Sequence, residues 1–221
     1  EMTSMELTDR LIATESGISS DKLKGKLKML PDEWQVLEQS IGRIFRSPLY
    51  IDETPGITLT EFTAKAKRLV REKGVKIIFV DYLQLMQSDN KKQNDSRVND
   101  VADISRNLKL MAKDLKVPII CCAQLSRGPE SRTDKRPQLS DLRESGSIEQ
   151  DADIVLMLYR DDYYQQPGAE EENMERNDIN TVEIIVAKNR HGPVGSVDLA
   201  WNSEFTLFTS IEKRSEDDIF A

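Results

Sequence analysis

The chain has 221 residues, of which 38% are apolar and 32% charged, with a net charge of −8. That balance supplies a core and excludes wholesale disorder, and no apolar run approaches the ~20 residues that a membrane span requires. The acidic surplus excludes a surface coated with positive charge for nucleic acid, though not a local basic strip.

The opening run EMTSMELTDRLI enters a helical pattern at once, with nothing before it to form a first strand, as expected of a piece of a longer natural chain. Thr3 to Thr14 places Met5, Leu7, Leu11 and Ile12 on one broad helical face. Ser20 is a cap for a short helix starting near Asp21. Pro31 followed by Asp32 and Glu33 opens another helix, and Trp34, Leu37, Ile41 and Ile44 recur along one side of it. Leu49–Asp52 reads as a short strand. A helix follows over Thr58–Lys73, capped by Thr58 or Thr60 and stopped by Gly74.

Val75–Val80 is a buried strand ending in Asp81, and Gln87–Ser96 is polar enough to be a loop. Val98, Val101, Ile104, Leu108, Met111 and Leu115 then mark a long amphipathic helix. Val117–Gln124 is a second buried strand. It contains both cysteines, Cys121 and Cys122. Adjacent strand residues point to opposite faces, so the two are read as small buried hydrophobes and not as a disulfide. Free thiols of this kind fit a reducing cytosol. Residues 126–151 read as one long polar loop, a length that usually signals function. Asp153–Arg160 is a third strand, 165–180 an acidic linker, and Thr181–Lys188 and Gly195–Trp201 two strands around a Gly/Pro turn. Residues 204–211 hold a last short strand, and the acidic tail 212–221 is expected to be disordered. His191 is the sole histidine, so no spaced Cys/His set builds a metal site.

Strands alternating with helices, each strand nearly continuous in apolar residues, indicate a mostly parallel α/β sheet covered on both faces, with an antiparallel extension at one edge. In such sheets ligands bind beyond the carboxyl ends of the strands. Two strands here end in polar groups, Asp81 after IIFV and Gln124 after IICCA. A carboxylate held at a fixed strand end suits a hydrated Mg²⁺, and a neutral amide beside it can sense a phosphate without adding repulsive charge. An aspartate after an apolar run also serves as a plain turn cap, so other residues must carry the assignment. The phosphate-cradling pattern GxxxxGK[ST] does not occur in these 221 residues; the Gly25-Lys26 pair has neither the upstream glycine nor the following Ser/Thr.

The runs VDYLQLM, PIICCAQLSRGPESRTDKRPQLSDLRESGSIEQDADIVLMLYRDDYY and VEIIVAKNRHGPVGSVDLAW resemble the DnaB family of bacterial replicative DNA helicases. The similarity extends over residues 1–211, as a partial RecA-like motor domain lacking its phosphate-binding loop. The resemblance implies an ATP- and Mg²⁺-dependent motor. Its parent would be a cytoplasmic homo-hexamer that translocates on single-stranded DNA, unwinds the duplex at the replication fork, and works with a primase and a helicase loader. By the same resemblance Glu1 activates the attacking water, Asp81 holds Mg²⁺ through its water shell, and Gln124 reads the terminal phosphate. Lys188 and Arg190 of AKNRHG are inserted by a neighbouring subunit towards that phosphate. Arg143, Glu144 and Gly146 of LRESGS track the DNA strand. Apart from that match, the polar run Asn90–Arg97 is read as a candidate second channel loop.

Charge alone does not reveal the DNA loop: residues 126–144 hold five basic and four acidic side chains, a net of only +1. The glycine and small serines around Gly146 carry the argument, since they leave backbone N–H groups open to phosphate oxygens. This chain by itself is expected not to hydrolyse ATP, because the phosphate loop is absent from it. A recombinase relative of the same fold is disfavoured by LRESGSIEQDAD and KNRHGPVG. A non-catalytic RecA-fold assembly or loader-binding module is the alternative from another functional class.

Overall fold

The computed structural model describes residues 2–89, 97–142, 146–161 and 179–211. Glu1, the acidic tail 212–221, most of the acidic linker and the candidate loop 90–96 lie outside the described residues. The chain divides into two compact units, one of residues 1–53, 158–185 and 196–221, the other of 54–157 and 186–195.

In the first unit, helix α1 (Ser4–Ser16) begins at a capping box, in which the Glu6 N–H donates to Thr3 Oγ1 and the Thr3 N–H to Glu6 Oε2. The short α2 (Ser20–Leu23) is capped by Ser19, one residue earlier than expected. Helix α3 (Pro31–Arg46) starts at Pro31, and the Glu33 carboxylate accepts from the Leu30 N–H at 2.7 Å. Its packed stripe is Leu37, Ser40 and Ile44, centred on a fully buried Ser40. Trp34 and Ile41, expected on that stripe, lie exposed beside an exposed Phe45. A wide apolar sector cannot say which of its edges is packed; the choice is made by where α1 lies against α3. The expected strand at Leu49–Asp52 is irregular, with Leu49, Tyr50 and Ile51 exposed, and among the described residues it joins no sheet. Without a neighbour to take its N–H and C=O groups, β propensity alone does not make a strand.

In the second unit, α4 (Leu59–Lys73) is capped by the Thr58 side chain and ends at Gly74, whose φ of 67° is left-handed and therefore suited to glycine. Strand β1 (Ile78–Val80) pairs in parallel with β2 (Ile119–Cys121), in the register Ile78↔Ile119, Phe79↔Ile120, Val80↔Cys121. Both are three residues long, shorter than their apolar runs. Helix α5 (Arg97–Leu115) packs its face of Val101, Ile104, Leu108 and Met111 with Leu59, Ala66, Val80, Leu83 and Met86 into one core. That core covers one side of the strand pair. On the other side the cross-strand partners Phe79 and Ile120 are 66% and 48% exposed. The expectation of a sheet covered on both faces therefore fails for this pair among the described residues. An apolar residue at every position is compatible with burial on either side, so the sequence could not show that one side is open.

The polar stretch after β2 is more ordered than expected. It contains 3₁₀ turns at Gly128–Ser131 and Leu139–Asp141 and a short helix, α6 (Gly146–Asp151). Ile148 is the one apolar residue of α6, so no periodicity announces it. Strands β3 (Ile154–Tyr159), β4 (Ile179–Asn189), β5 (Gly195–Asn202) and β6 (Leu207–Ser210) form a four-stranded sheet in the order β3-β4-β5-β6. β5 and β6 are antiparallel, with Trp201 against Phe208 at a centroid distance of 4.4 Å. The expected antiparallel strands are thus present towards the C-terminus, but among the described residues they form a sheet of their own and do not extend the β1–β2 pair. No helix of the described residues is long and apolar enough to cross a membrane.

Candidate functional site: the paired strand ends

Strands β1 and β2 run in parallel, so their carboxyl ends come out side by side. Beyond Val80 the ladder continues for two more bonds, from the Cys122 N–H to the Val80 carbonyl and from the Leu83 N–H to the Cys122 carbonyl, each 2.9 Å. Asp81 lies between those bonds and is exposed, as is Gln124, three residues beyond the end of β2. Neither side chain is turned into the packed interior, as a purely structural role would have them.

The thiols report where Asp81 sits. Burial pushes the Cys122 thiol up, and the Asp81 carboxylate adds to this by its charge and by accepting a hydrogen bond from the thiol. Burial likewise raises Cys121, to about 12, with the charges of Cys122 and Asp81 contributing. The Asp81 carboxylate therefore lies against the end of β2. Both cysteines are free, as expected, but Cys122 is exposed and not buried. Alternation places it, two residues after the exposed Ile120, on the open side of the strand pair.

Gln84 was not singled out from the sequence. It lies on the 3₁₀ turn Leu83–Leu85 that follows Asp81. Its Nε2 donates to the Gln124 carbonyl at 3.2 Å, and its Oε1 accepts from the Gln124 N–H at 3.1 Å. Its own carbonyl accepts from the Arg97 guanidinium at the start of α5. One step later Leu125 bridges antiparallel to Leu142, immediately before the candidate DNA residues Arg143 and Glu144. Those two lie outside the described residues, and Gly146 is the exposed first residue of α6.

Lys188 and Arg190 come together at the other end of α6. The Lys188 ammonium donates to the Glu149 carbonyl and, at 3.4 Å, to that of Gln150. The Arg190 guanidinium donates to the Gln150 carbonyl at 3.0 Å and pairs with the Asp153 carboxylate at 3.2 Å. Asp153 also takes the Lys109 ammonium of α5. That hydrogen bond, with the Lys109, Arg190 and His191 charges, holds the Asp153 carboxyl below the usual carboxylate range against the opposing effect of burial. The basic pair therefore satisfies carbonyls at the C-terminal end of the helix that follows the candidate DNA loop. Asp153 and Lys109 were also missed, because their partners lie far off in the chain.

Arg132 sits in the stretch counted above for its basic charge, but it is committed internally. Its guanidinium grips Asp141 with two bonds, at 3.1 and 2.6 Å, and Asp141 also accepts from the Gln138 N–H at 2.7 Å. Burial alone would raise the carboxyl of Asp141, which is 4% exposed, yet Arg132 and the Gln138 N–H outweigh it and the pKa is lowered. A lowered folded-state pKa contributes stability above the ordinary aspartate pKa and loses it as pH falls through the folded value. Asp141→Asn is therefore expected to cost about 2 kcal/mol at neutral pH, the scale of hydrogen bonds to a charged group. Urea unfolding of both proteins over an acid series should show the gap narrowing as pH falls; a gap independent of pH would contradict this account.

Two parallel strands that deliver an exposed carboxylate and an exposed amide residue to one edge, with helices on one face, define an α/β domain with a ligand crevice at its strand ends. Comparison with known proteins makes the class specific. Residues 1–210 match the model of the DnaB-like helicase C-terminal domain, and the chain belongs to that family. It is 46% identical over 217 residues to the replicative DNA helicase DnaC of Bacillus subtilis and 43% identical over 217 residues to the replicative DNA helicase DnaB of Geobacillus stearothermophilus. In each case 98% of this chain is matched, and it spans 46% of the relative's length. Among solved structures, a DnaB-like replicative helicase studied with its interactions with primase superposes with a TM-score of 0.83 at 42% identity, over 96% of this chain and 50% of that one. A second solved structure, described as an ATPase domain, superposes with a TM-score of 0.83 at 43% identity, over 96% of this chain and 72% of that one. The fold is accordingly the RecA-like fold of these helicase domains, as the resemblance in the sequence implied.

Proposed function

We propose that this chain is the motor domain of a replicative helicase, which as a homo-hexamer couples ATP hydrolysis to movement along single-stranded DNA and separates the duplex. The observation that carries the reading is the exposed Asp81 and Gln124 at the carboxyl ends of adjacent parallel strands, in a chain of this family. Partnership with a primase and a helicase loader, and a cytoplasmic location, belong to the same proposal.

The residues at the strand ends fit a magnesium nucleotide. Asp81 offers hard carboxylate oxygen from a backbone held by the ladder, which is what a largely hydrated Mg²⁺ takes. When bound, the metal neutralises charge that develops on the phosphoryl oxygens. Gln124 contacts the terminal phosphate through a neutral amide, so it can respond to phosphate loss without repelling it. Glu1 orients and deprotonates the attacking water. Lys188 and Arg190 supply positive charge to the same phosphate from the adjacent subunit, and Arg143, Glu144 and Gly146 contact the DNA backbone. Phosphoryl transfer needs little more than such positioning and charge.

The experiment is hydrolysis and strand separation by the full-length protein that contains this chain. Magnesium-dependent ATP turnover that rises with single-stranded DNA, together with unwinding of a forked duplex, is the expected result. A folded protein that binds partners without ATP turnover would instead support the non-catalytic assembly or loader-binding module.

A further inference from the structure

We propose that Gln84 is a positioning residue for Gln124, and that its carboxamide sets where the Gln124 side chain stands relative to Asp81; the proposal rests on the motor reading above. The β1–β2 ladder ends with the Leu83 N–H bond to the Cys122 carbonyl. From there the first chain turns away into the 3₁₀ turn at Leu83–Leu85, while the second continues to Gln124. The Gln84 side chain takes over as Gln124's pairing partner. A carboxamide carries one acceptor and one donor group side by side, which matches the C=O and N–H of a single residue. The two bonds of 3.1 and 3.2 Å use both, so the orientation of the amide is dictated by its partners.

Gln124 is thereby pinned from two directions. Gln84 holds its backbone on the Asp81 side. The Leu125–Leu142 bridge and the 2.8 Å bond from the Ser126 N–H to the Asp141 carbonyl hold the following residues on the side that leads to Arg143. Gln84 is itself tied to α5 through Arg97.

Burial decides between a positioning and a merely structural role. Gln124 is exposed, so water can satisfy its backbone groups if the clamp is lost. Losing the clamp then costs little stability but releases the backbone that carries a phosphate-sensing side chain. Small displacements of such groups cost roughly 10- to 100-fold in rate.

The test uses the full-length protein with ATP, Mg²⁺ and an oligo-dT strand. Gln84→Leu keeps the bulk and removes the amide. Its DNA-stimulated kcat is expected to fall roughly 10- to 100-fold, with nucleotide affinity and Tm close to wild type. Gln84→Leu combined with Gln124→Ala should be no slower than Gln124→Ala alone, because the first residue acts through the second. Hydrogen exchange at the Gln124 amide should quicken in Gln84→Leu. Wild-type kcat in Gln84→Leu, rate losses that multiply in the double variant, or an unchanged Gln124 exchange rate would each overturn the proposal. A loss of kcat accompanied by a matching loss of Tm would do so too. Wild-type protein without ATP turnover would sink the motor reading and this proposal with it, whereas turnover with a silent Gln84→Leu sinks the proposal alone.

Discussion

Arg190→Ala in the full-length protein is expected to lower ATP turnover by about 10³- to 10⁵-fold while leaving nucleotide binding largely intact. The guanidinium is held in this chain by Asp153 and the Gln150 carbonyl, in a pair whose side chains are 44% and 48% exposed. A pair so accessible to water is worth about 0–1 kcal/mol, and the hydrogen bond to the Gln150 carbonyl about 1.5 kcal/mol more. Charge delivered to the phosphate in the transition state is expected to contribute about 4–7 kcal/mol on the same scale, so a finger role would outweigh the resting contact. The variant should accordingly fold normally. Arg190→Lys is expected to recover only part of the rate, since it keeps the charge but not the planar fork. Steady-state hydrolysis set beside equilibrium nucleotide binding reads the difference; equal loss of both would count against a group acting from the adjacent subunit.

Asp81→Asn is expected to reduce magnesium-dependent turnover about 10³-fold, the equivalent of several kcal/mol of lost charge stabilisation. The change is isosteric, and Asp81 is exposed, so stability should hardly move. The two variants also test each other. In mixed rings, an Arg190→Ala subunit retains Asp81 and an Asp81→Asn subunit retains Arg190. Where they meet in the right order, one complete site is restored. Activity of the mixture well above either variant alone is expected if Arg190 acts across a subunit boundary, and mixtures no better than their parts would place it in its own subunit's site.

Much of the local structure was legible because short-range chemistry dictates it. Pro31 with its acids, Thr58 or Thr60, and Gly74 marked helix ends that the structure keeps to within a residue or two. The spacing from Val98 to Leu115 identified α5 and, except for the exposed Val98, the face it buries. Leu49–Asp52 failed for the opposite reason: a strand is defined by a neighbour, and none is written into four residues. Helix α6 was missed because its stability comes from outside it, through Ser105 donating to Asp151 and the basic pair satisfying its last carbonyls.

The candidate site divides along the same line. By itself the sequence determined that two apolar runs lead into Asp81 and Gln124, and that LRESGS and AKNRHG resemble the family's runs, because these are properties of contiguous residues. Only the tertiary structure decided that Gln84 grips Gln124, that Arg190 rests on Asp153, that Arg132 is spent on Asp141, and that Phe79 and Ile120 face outward. Those facts join residues about ten to forty positions apart or concern which side of a strand is covered. Hydrogen bonds and burial are settled by what the folded chain brings near, and a list of residue types does not contain that distance.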